Sequence, residues 1–317
     1  MKKLISLITI CCVVLSLSAE ELTPNVAVPK GDCNYSTEFV EYKQIDTVTL
    51  DIFVVTPDGI AKGEKRPAVV FIHGGGWNNG SYASFENHAR YLATKGLVTF
   101  SVNYRLKNKN KTTPYEALLD AKSAIRFIRA NAERFNIDPD KIITSGGSAG
   151  GHLAAAVTMC PEINDPNDDL SVSSEAAAVI LFNPVVCNGP NTMGSYKGYG
   201  YDRVKDYYKE FSPIYNIREG VPPTIFMVGT NDHLVSVEMA KEYKRLIEEA
   251  GGRCDLHLFQ NQKHGFYHFG SSATNSNKRN FYRSLTQAHD FLMNLGYLDS
   301  APTVDIWLDA QGKEYVY

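Results

Sequence analysis

The sequence predicts an α/β protein built on a doubly wound, mostly parallel sheet of about eight strands with helices on both faces. Two patterns in the 317-residue chain indicate this fold class. Runs such as Pro67–Ile72 and Leu97–Val102 are almost continuously apolar, as expected for strands covered on both faces. Stretches with apolar residues at helical spacing separate these runs, and such an alternation produces right-handed crossovers between parallel strands.

Composition excludes several classes of protein. Hydrophobic residues make up 44% of the chain and charged residues 21%, so the chain is not disordered. The 32 basic and 35 acidic side chains are nearly balanced, which leaves no basic footprint for nucleic acid or for an anionic membrane surface. We see no repeat and no linker, and we expect one catalytic domain over residues 33–297.

The first residues have the composition of a targeting segment. Lys2 and Lys3 precede an apolar run that ends in Ser16-Leu17-Ser18-Ala19, as in a cleavable signal peptide over residues 1–19. The run is shorter than a membrane-spanning helix requires, so we expect no stable membrane anchor. Residues 20–32 are predicted to be a leader segment, and the protein is predicted to be secreted or periplasmic.

The elements follow one another in a regular order. Thr37–Lys43 and Thr47–Val55 alternate and predict an antiparallel pair at the sheet edge. The later predicted elements are the helix Phe85–Lys95, a long helix from Pro114, the strand entering Ser145, the strands Ala176–Phe182 and Pro222–Val228, the helix Ser236–Ala250, the strand Cys254–Phe259 and the helix Asn275–Leu295.

The tail at residues 298–317 is predicted to form a small hairpin, because Val304–Leu308 alternates and Glu314–Tyr317 supplies a second piece. An untethered end is the alternative.

Four cysteines follow the signal peptide. We expect them to be free because the predicted strands and helices put them at different ends of the sheet, although a single disulfide stays open. They are Cys33, Cys160, Cys187 and Cys254.

A nucleophile elbow is the central motif. A β-branched run enters Gly146-Gly147-Ser148-Ala149-Gly150 and leaves through an alanine-rich segment, which predicts a strand, a sharp turn and a helix with Ser148 at the turn. Side chains at Gly146 or Gly150 would collide with the packed strand and helix.

A glycine-rich loop follows the strand Pro67–Ile72. His73-Gly74-Gly75-Gly76-Trp77 lets backbone N–H groups approach a substrate closely. With the N–H of Ala149, the amides of Gly75 and Gly76 are predicted to form an oxyanion hole. The sequence leaves open which two of the amides of Gly75, Gly76 and Trp77 face the oxyanion.

Ser148, Asp232 and His264 each follow a predicted strand and therefore share one rim of the sheet. In this arrangement His264 removes the Ser148 proton as general base, Asp232 orients the imidazole, and an acyl-enzyme forms. Four further histidines rank lower. His73, His152 and His233 are predicted to be structural, and His268 is the alternative base.

The stretch from Asn183 to Asn216 is rich in tyrosine and follows the carboxyl end of a strand. Part of it is expected to overhang the crevice, where Tyr199 and Tyr201, together with Trp77, are predicted to contact substrate. The alternative is that Arg203–Glu210 is simply the next surface helix.

These motifs, with Asn103-Tyr104-Arg105-Leu106, make the chain resemble the α/β-hydrolase esterases related to hormone-sensitive lipase over Phe39 to Leu295. Members of that family usually carry Asp before the nucleophile and a large amino-terminal cap. Here Gly147 occupies the first position, and the short segment before the first strand predicts no large cap domain. The chain is therefore most similar to the secreted acetyl-xylan and feruloyl esterase-like branch. The resemblance implies a small ester or an acylated oligosaccharide as substrate, with no metal or cofactor.

Several alternatives remain at this level. The scaffold also suits a general short-chain carboxylesterase, a lipase-like enzyme or an arylformamidase-like amide hydrolase. A peptidase of the prolyl-oligopeptidase type is disfavoured because no propeller-sized segment precedes the catalytic region. An inactive binding protein is disfavoured because candidates for all three triad positions are present. The oligomeric state is not predicted.

Overall fold

The strands form one eight-stranded sheet in the part of the chain that the structure describes. This computed structural model describes residues 34–190, 198–269 and 278–310. The strands are β1 Tyr35–Ile45, β2 Val48–Pro57, β3 Arg66–Ile72, β4 Val98–Val102, β5 Ile137–Gly147, β6 Ala178–Phe182, β7 Thr224–Gly229 and β8 Cys254–Phe259. Their order is β1-β2-β4-β3-β5-β6-β7-β8. The first two pairings, β1 with β2 and β2 with β4, are antiparallel and all others are parallel, which confirms the predicted sheet and its antiparallel edge pair.

Helices connect the parallel strands. They are α1 Glu86–Thr94, α2 Lys107–Asn110, α3 Pro114–Ala130, α4 Ala149–Met159, α5 Tyr201–Val204, α6 Tyr208–Phe211, α7 Val237–Glu249, α8 Lys278–Asn294 and α9 Val304–Ala310. Short 3₁₀ turns lie at Tyr82–Phe85 and Pro213–Asn216. Helix α3 begins in a capping box in which the Thr113 hydroxyl accepts from the backbone and Glu116 accepts from the Thr113 N–H.

The sheet has a hydrophobic core on each face. Alternate residues of β3 point in opposite directions, so Val70 packs in the core beneath α3, α4 and α7, and Phe71 packs in the core beneath α1 and α8. Both side chains are almost completely buried. The helices therefore cover both faces, as the continuous apolar runs predict.

The strand order reverses between β3 and β5. The chain passes from β3 outward to β4 and then returns to β5 on the other side of β3. Ile72 pairs with Gly146, so the loop after β3 and the elbow after β5 leave the sheet side by side. Ligands of open α/β sheets bind outside the carboxyl ends of the strands at such a switch point.

The prediction of a hairpin in the tail is wrong. Residues Val304–Ala310 form helix α9, in which Val304 and Trp307 lie three positions apart and share the buried face. The Trp307 ring packs 6.2 Å from Phe281 and 6.0 Å from Tyr91 between centroids. Residues 298–310 therefore belong to the domain rather than to a separate tail, while the second predicted hairpin piece, 314–317, lies outside the described residues.

Three cysteines are free and buried, as predicted: Cys160, Cys187 and Cys254. Cys33, the predicted signal peptide and the leader segment all lie outside the described residues. Within residues 34–190, 198–269 and 278–310, the helices are too short or too polar to cross a membrane.

Candidate active site

The nucleophile elbow has the predicted form. Strand β5 ends at Gly147, Ser148 adopts φ 56° and ψ −122°, and helix α4 begins at Ala149. A non-glycine residue with positive φ is strained unless its surroundings fix it. The Ser148 N–H donates to the carbonyl of Phe182 at 3.0 Å, and the Ser148 carbonyl accepts from the N–H groups of His152 at 3.0 Å and Val185 at 3.1 Å.

Glycines around the serine allow close approach of the backbone. A Cβ on Gly146 would meet the backbone of Gly150, and a Cβ on Gly150 would meet the carbonyls of Ile72 and His73. The requirement for small residues at these two positions is therefore steric, as the sequence indicates.

The three predicted triad residues lie in one chain of contacts. The Nε2 atom of His264 is 2.8 Å from the Ser148 Oγ atom, and its Nδ1 atom is 2.8 Å from the Asp232 Oδ2 atom. The Asp232 side chain is fully buried and that of His264 is 24% exposed. Because a carboxylate only accepts hydrogen bonds, Nδ1 carries the proton and Nε2 is left to accept from the serine hydroxyl.

The second oxygen of Asp232 is also held. Its Oδ1 atom accepts from the N–H groups of Leu234 at 2.8 Å and Val235 at 3.0 Å. These bonds fix the rotation of the carboxylate, so Oδ2 is the oxygen that faces His264. The backbone turn after β7 thus positions the acid, and nothing in the sequence motif Gly229-Thr230-Asn231-Asp232 indicates it.

Asn183 contacts the turn that carries His264, although no sequence motif marks it as a site residue. It follows β6 directly, is completely buried, and has φ 37°. Its Oδ1 atom accepts from the Gly265 N–H at 3.2 Å, and its Nδ2 atom lies 3.4 Å from His264 Nε2. Asn183 therefore clamps the turn that carries the histidine. In the sequence, its position directly after a strand is the feature that could have indicated a site residue, because Ser148 and Asp232 also follow strands.

The peptide planes of the glycine-rich loop are held through their carbonyl groups. The Gly74 carbonyl accepts from His73 Nδ1 at 2.8 Å. The Gly75 carbonyl accepts from the N–H groups of Asn78 at 3.0 Å and Asn79 at 3.3 Å. A trans peptide directs its N–H opposite to its C=O, so these bonds orient the N–H groups of Gly75 and Gly76.

The next carbonyl, that of Gly76, accepts from Arg203 Nη1 at 2.9 Å. Gly75, Gly76 and Ser148 all line the same crevice. Ala149 is the first residue of α4, so its N–H lacks an intrahelical acceptor and is available at the positive end of the helix. The arrangement of these three N–H groups around Ser148 suits an oxyanion, and their role stays a prediction.

The crevice at this edge of the sheet has a volume of about 360 Å³, within the range of small-molecule sites. Apolar atoms form the larger part of its wall, although Leu234 is the one aliphatic side chain among the lining residues. It is lined by Gly74, Gly75, Gly76, Asn79, Gly80, Ser84, Ser148, Tyr199, Leu234, His264, Gly265, Tyr267 and His268.

Of the three side chains predicted to contact substrate, the structure brings only Tyr199 to the crevice wall. Trp77 has φ 60°, which turns its ring into the core, where it is 1% exposed and packs 5.4 Å from His152. Tyr201 begins helix α5 and its ring packs 5.6 Å from that of Tyr208. The prediction of direct substrate contact is therefore wrong for the buried Trp77, whereas for Tyr201, which does not line the crevice, it stays a prediction.

The tyrosine-rich stretch combines both expected arrangements. Tyr199 overhangs the crevice, whereas the segment after it forms the short helices α5 and α6 instead of one helix over Arg203–Glu210.

Two of the other histidines are buried and do not line the crevice. Burial lowers the pKa of His73 to about 4 and the pKa of His152 to about 3, and the latter ring contacts the Phe211 carbonyl at 2.8 Å. His233 is exposed. His268 lines the crevice, and burial together with the neighbouring His264 lowers its pKa to about 4.

Tyr267 explains why glycine precedes the nucleophile. A Cβ on Gly147 would collide with the Tyr267 hydroxyl. The Tyr267 ring is 1% exposed and is stacked between Phe182, at 4.9 Å, and Phe85, at 5.5 Å between centroids, and this stacking holds the ring in place. Among the described residues, no group of three or more His, Cys, Asp or Glu side chains is placed to hold a metal ion.

The chain is similar to esterases in sequence and in structure. The model of the BD-FAE family matches residues 50–247. Esterase LipC of Mycobacterium tuberculosis is 28% identical over 57% of this chain and 48% of its own length. The acetylxylan esterase of Xylanibacter ruminicola is 28% identical over 63% of this chain and 41% of its own length. The chain thus spans less than half the length of these two curated relatives.

Esterase 2 of Thermogutta terrifontis is a solved structure of similar size. It is 36% identical over 83% of this chain and 96% of its own length, with a TM-score of 0.77, in a form phosphoramylated by tabun. The same esterase was also solved phosphonylated by sarin, where it is 35% identical over 84% of this chain and 97% of its own length, with a TM-score of 0.78. With butyrate bound, it is 35% identical over 84% of this chain and 96% of its own length, with a TM-score of 0.77.

Proposed function

Because the chain belongs to the BD-FAE family of α/β-hydrolase esterases, we propose that it hydrolyses carboxylic esters by a serine mechanism. The observation that carries the proposal is the unbroken line of contacts from Ser148 through His264 to Asp232, at 2.8 Å for each step. Such a line activates a hydroxyl that is otherwise a weak nucleophile.

In the proposed mechanism, Ser148 Oγ attacks the ester carbonyl while His264 Nε2 takes its proton. The N–H groups of Gly75, Gly76 and Ala149 stabilise the tetrahedral oxyanion, and each such donor contributes roughly 3 kcal/mol to lowering the barrier. The imidazolium then protonates the leaving alcohol. Water, deprotonated by the same imidazole, attacks the acyl-enzyme and releases the acid.

We further propose that the substrates carry acetyl or feruloyl groups on xylan-derived saccharides. The crevice supports this, because three residues with polar side chains, Asn79, Ser84 and His268, are among those that line it together with Ser148. Hydroxyl-rich alcohols need such partners when they leave water. The acetylxylan esterase of Xylanibacter ruminicola, 28% identical over 210 residues, gives independent support.

A second candidate is a general short-chain carboxylesterase. The Thermogutta terrifontis esterase was solved with butyrate bound, and it is 35% identical to this chain over nearly its whole length. A crevice of about 360 Å³ accommodates a short acyl chain without any saccharide.

Turnover of three substrates distinguishes these proposals. Acetylated xylo-oligosaccharide, methyl ferulate and p-nitrophenyl acetate are compared with wild type, Ser148→Ala and the control Ser145→Ala. Ser145 lies on the same strand, and its buried hydroxyl has no hydrogen-bond partner. We expect saccharide turnover by wild type and Ser145→Ala and none by Ser148→Ala. Turnover of p-nitrophenyl acetate alone favours the short-chain esterase, and equal rates in wild type and Ser148→Ala refute the serine mechanism.

Export is also a proposal. It is supported by Lys2 and Lys3 ahead of the apolar run that ends at Ala19. Sequencing of the amino terminus of the protein from its native host tests it: a first residue at Glu20 supports cleavage, and an intact Met1 in the cytoplasmic fraction contradicts it.

A further inference from the structure

The glycine-rich loop is held in an unusual conformation. Gly75, Gly76 and Trp77 have positive φ values of 106°, 64° and 60° in succession. L-residues with side chains rarely adopt this region, and Trp77 is a large one. Such a loop keeps its shape only if neighbouring groups determine it.

Backbone groups hold two sides of this loop. The Gly75 carbonyl is bound by the N–H groups that follow it in the chain, and the Trp77 carbonyl accepts from the Lys107 N–H at 3.0 Å. The Gly76 carbonyl lies between these two. It accepts from Arg203 Nη1, on helix α5, at 2.9 Å.

Arg203 makes several contacts to the loop at once. Its Nη1 atom also donates to Asn78 Oδ1 at 2.9 Å. Its guanidinium carbon lies 5.2 Å from the Trp77 ring centroid and 5.9 Å from the Tyr199 ring centroid. A planar guanidinium is suited to combine hydrogen bonding and stacking in this way, and a lysine is not.

Tyr199 completes the contact. A Cβ on Gly76 would lie 2.5 Å from the Tyr199 hydroxyl, so the phenol closes directly over this glycine. The segment from Tyr199 to Arg203 therefore covers the loop from outside, while Trp77 packs on His152 of the elbow helix from inside.

We propose that Arg203 is a positioning residue that fixes the oxyanion-binding conformation of this loop. The proposal rests on the serine esterase function proposed above. Bonds to the Gly75 carbonyl hold the peptide plane before Gly76, and Arg203 holds the plane after it, so together they fix the backbone torsions of Gly76. The Gly76 N–H, one of the predicted oxyanion donors, then needs no reorganisation during the reaction. This is the condition under which such donors are effective.

Substitution of Arg203 therefore lowers the rate of the chemical step and leaves substrate binding unchanged. Removing one oxyanion donor altogether lowers kcat about 100- to 1,000-fold in serine hydrolases. Since the donors remain and only their alignment is lost, we expect kcat of Arg203→Met to fall about 10- to 100-fold with little change in KM. Arg203→Lys keeps a charged hydrogen-bond donor, so its kcat should lie between the values of wild type and Arg203→Met.

The experiment compares these variants with a matched arginine. Arg90, like Arg203, combines hydrogen bonding with stacking. It pairs with Glu86 at 2.6 Å and lies 5.4 Å from the Tyr35 ring centroid, and it belongs to α1 and does not line the crevice. Steady-state kinetics with p-nitrophenyl acetate are paired with inhibition by a trifluoromethyl ketone, whose adduct with a serine carries an oxyanion. We expect the inhibition constant for Arg203→Met to rise by the factor by which kcat/KM falls, and Arg90→Met to match wild type in both.

An Arg203→Met enzyme with wild-type kcat and inhibition constant overturns the proposal. So does a raised KM at unchanged kcat, because it assigns Arg203 to uniform substrate binding. If Arg203→Met does not fold, Arg203→Lys decides by the same criteria. Failure of the esterase function itself is recognised separately, since wild type is then inactive or Ser148→Ala is active.

Discussion

The hydrogen bonds of Asp232 predict what its replacement by asparagine does. In wild type both oxygens accept: Oδ1 from the N–H groups of Leu234 and Val235, and Oδ2 from His264 Nδ1. Asparagine has a single oxygen, and two backbone N–H donors compete for it against one imidazole. We expect the amide oxygen to stay with the two backbone donors, because it makes two hydrogen bonds there and only one to the imidazole.

The amide NH₂ group of Asp232→Asn then faces His264. It donates to Nδ1, which must become an acceptor, so the proton moves to Nε2 and the imidazole cannot accept the proton of Ser148. The fold stays intact while the general base is held in the wrong tautomer. The analogous change in a serine protease lowers kcat about 10⁴-fold, or about 5 kcal/mol of barrier, and we expect a loss of that size here.

The assay measures kcat for p-nitrophenyl acetate in wild type, Asp232→Asn and Asp232→Ala, together with thermal unfolding midpoints. Asp232→Asn is expected to unfold near the wild-type temperature, and Asp232→Ala at a lower one because it removes the oxygen to which the N–H groups of Leu234 and Val235 donate. If Asp232→Asn keeps more than a tenth of the wild-type kcat, the tautomer explanation is refuted.

Three further changes are predictable from packing and burial. His88 is buried with neither ring nitrogen hydrogen-bonded, and burial lowers its pKa to about 3, so the unfolded chain binds more protons below pH 6.5 and stability falls as the pH drops. Between pH 7 and pH 5, the free energy of unfolding measured with urea should fall by about 2 kcal/mol more in wild type than in His88→Phe, and an equal fall in both contradicts this. Gly147→Ala should cost about 1–3 kcal/mol in wild type and much less in a Tyr267→Ala background, as measured by a double-mutant cycle; equal costs in both backgrounds exclude the collision with Tyr267. Trp307→Ala should destabilise by about 3 kcal/mol without changing kcat, whereas the exposed Ile306→Ala changes stability by less than about 0.5 kcal/mol; similar unfolding midpoints for the two would contradict the packing of α9.

The sequence predicts the sheet and the meeting of the three catalytic candidates for one physical reason. Carboxyl ends of parallel strands share an edge, so residues just after β5 and β7 and in the loop after β8 converge whatever the helices between them do. The strands themselves are visible because burial on both faces requires continuous apolar runs.

Other features depend on contacts between distant segments and could not be predicted. Five alternating residues from Val304 fit a strand as well as a helix, and the space beside Tyr91 and Phe281 decides for the helix. Trp77 follows the glycine-rich loop in sequence, but its positive φ turns the ring inward. In the sequence, Gly147 is only a departure from a family pattern. The structure gives the reason, because Tyr267, far along the chain, occupies the space that a side chain at position 147 would need.

Covalent labelling of the serine tests the central claim most directly. A fluorophosphonate labels an activated hydroxyl, and the proposed mechanism attributes that activation to His264, whose Nε2 atom lies 2.8 Å from Ser148 Oγ. Mass spectrometry of the labelled protein should find one phosphonyl group on the peptide containing Ser148, with complete loss of esterase activity, and none in Ser148→Ala. Labelling of Ser148→Ala at the wild-type rate, or an adduct on another residue, would contradict the account.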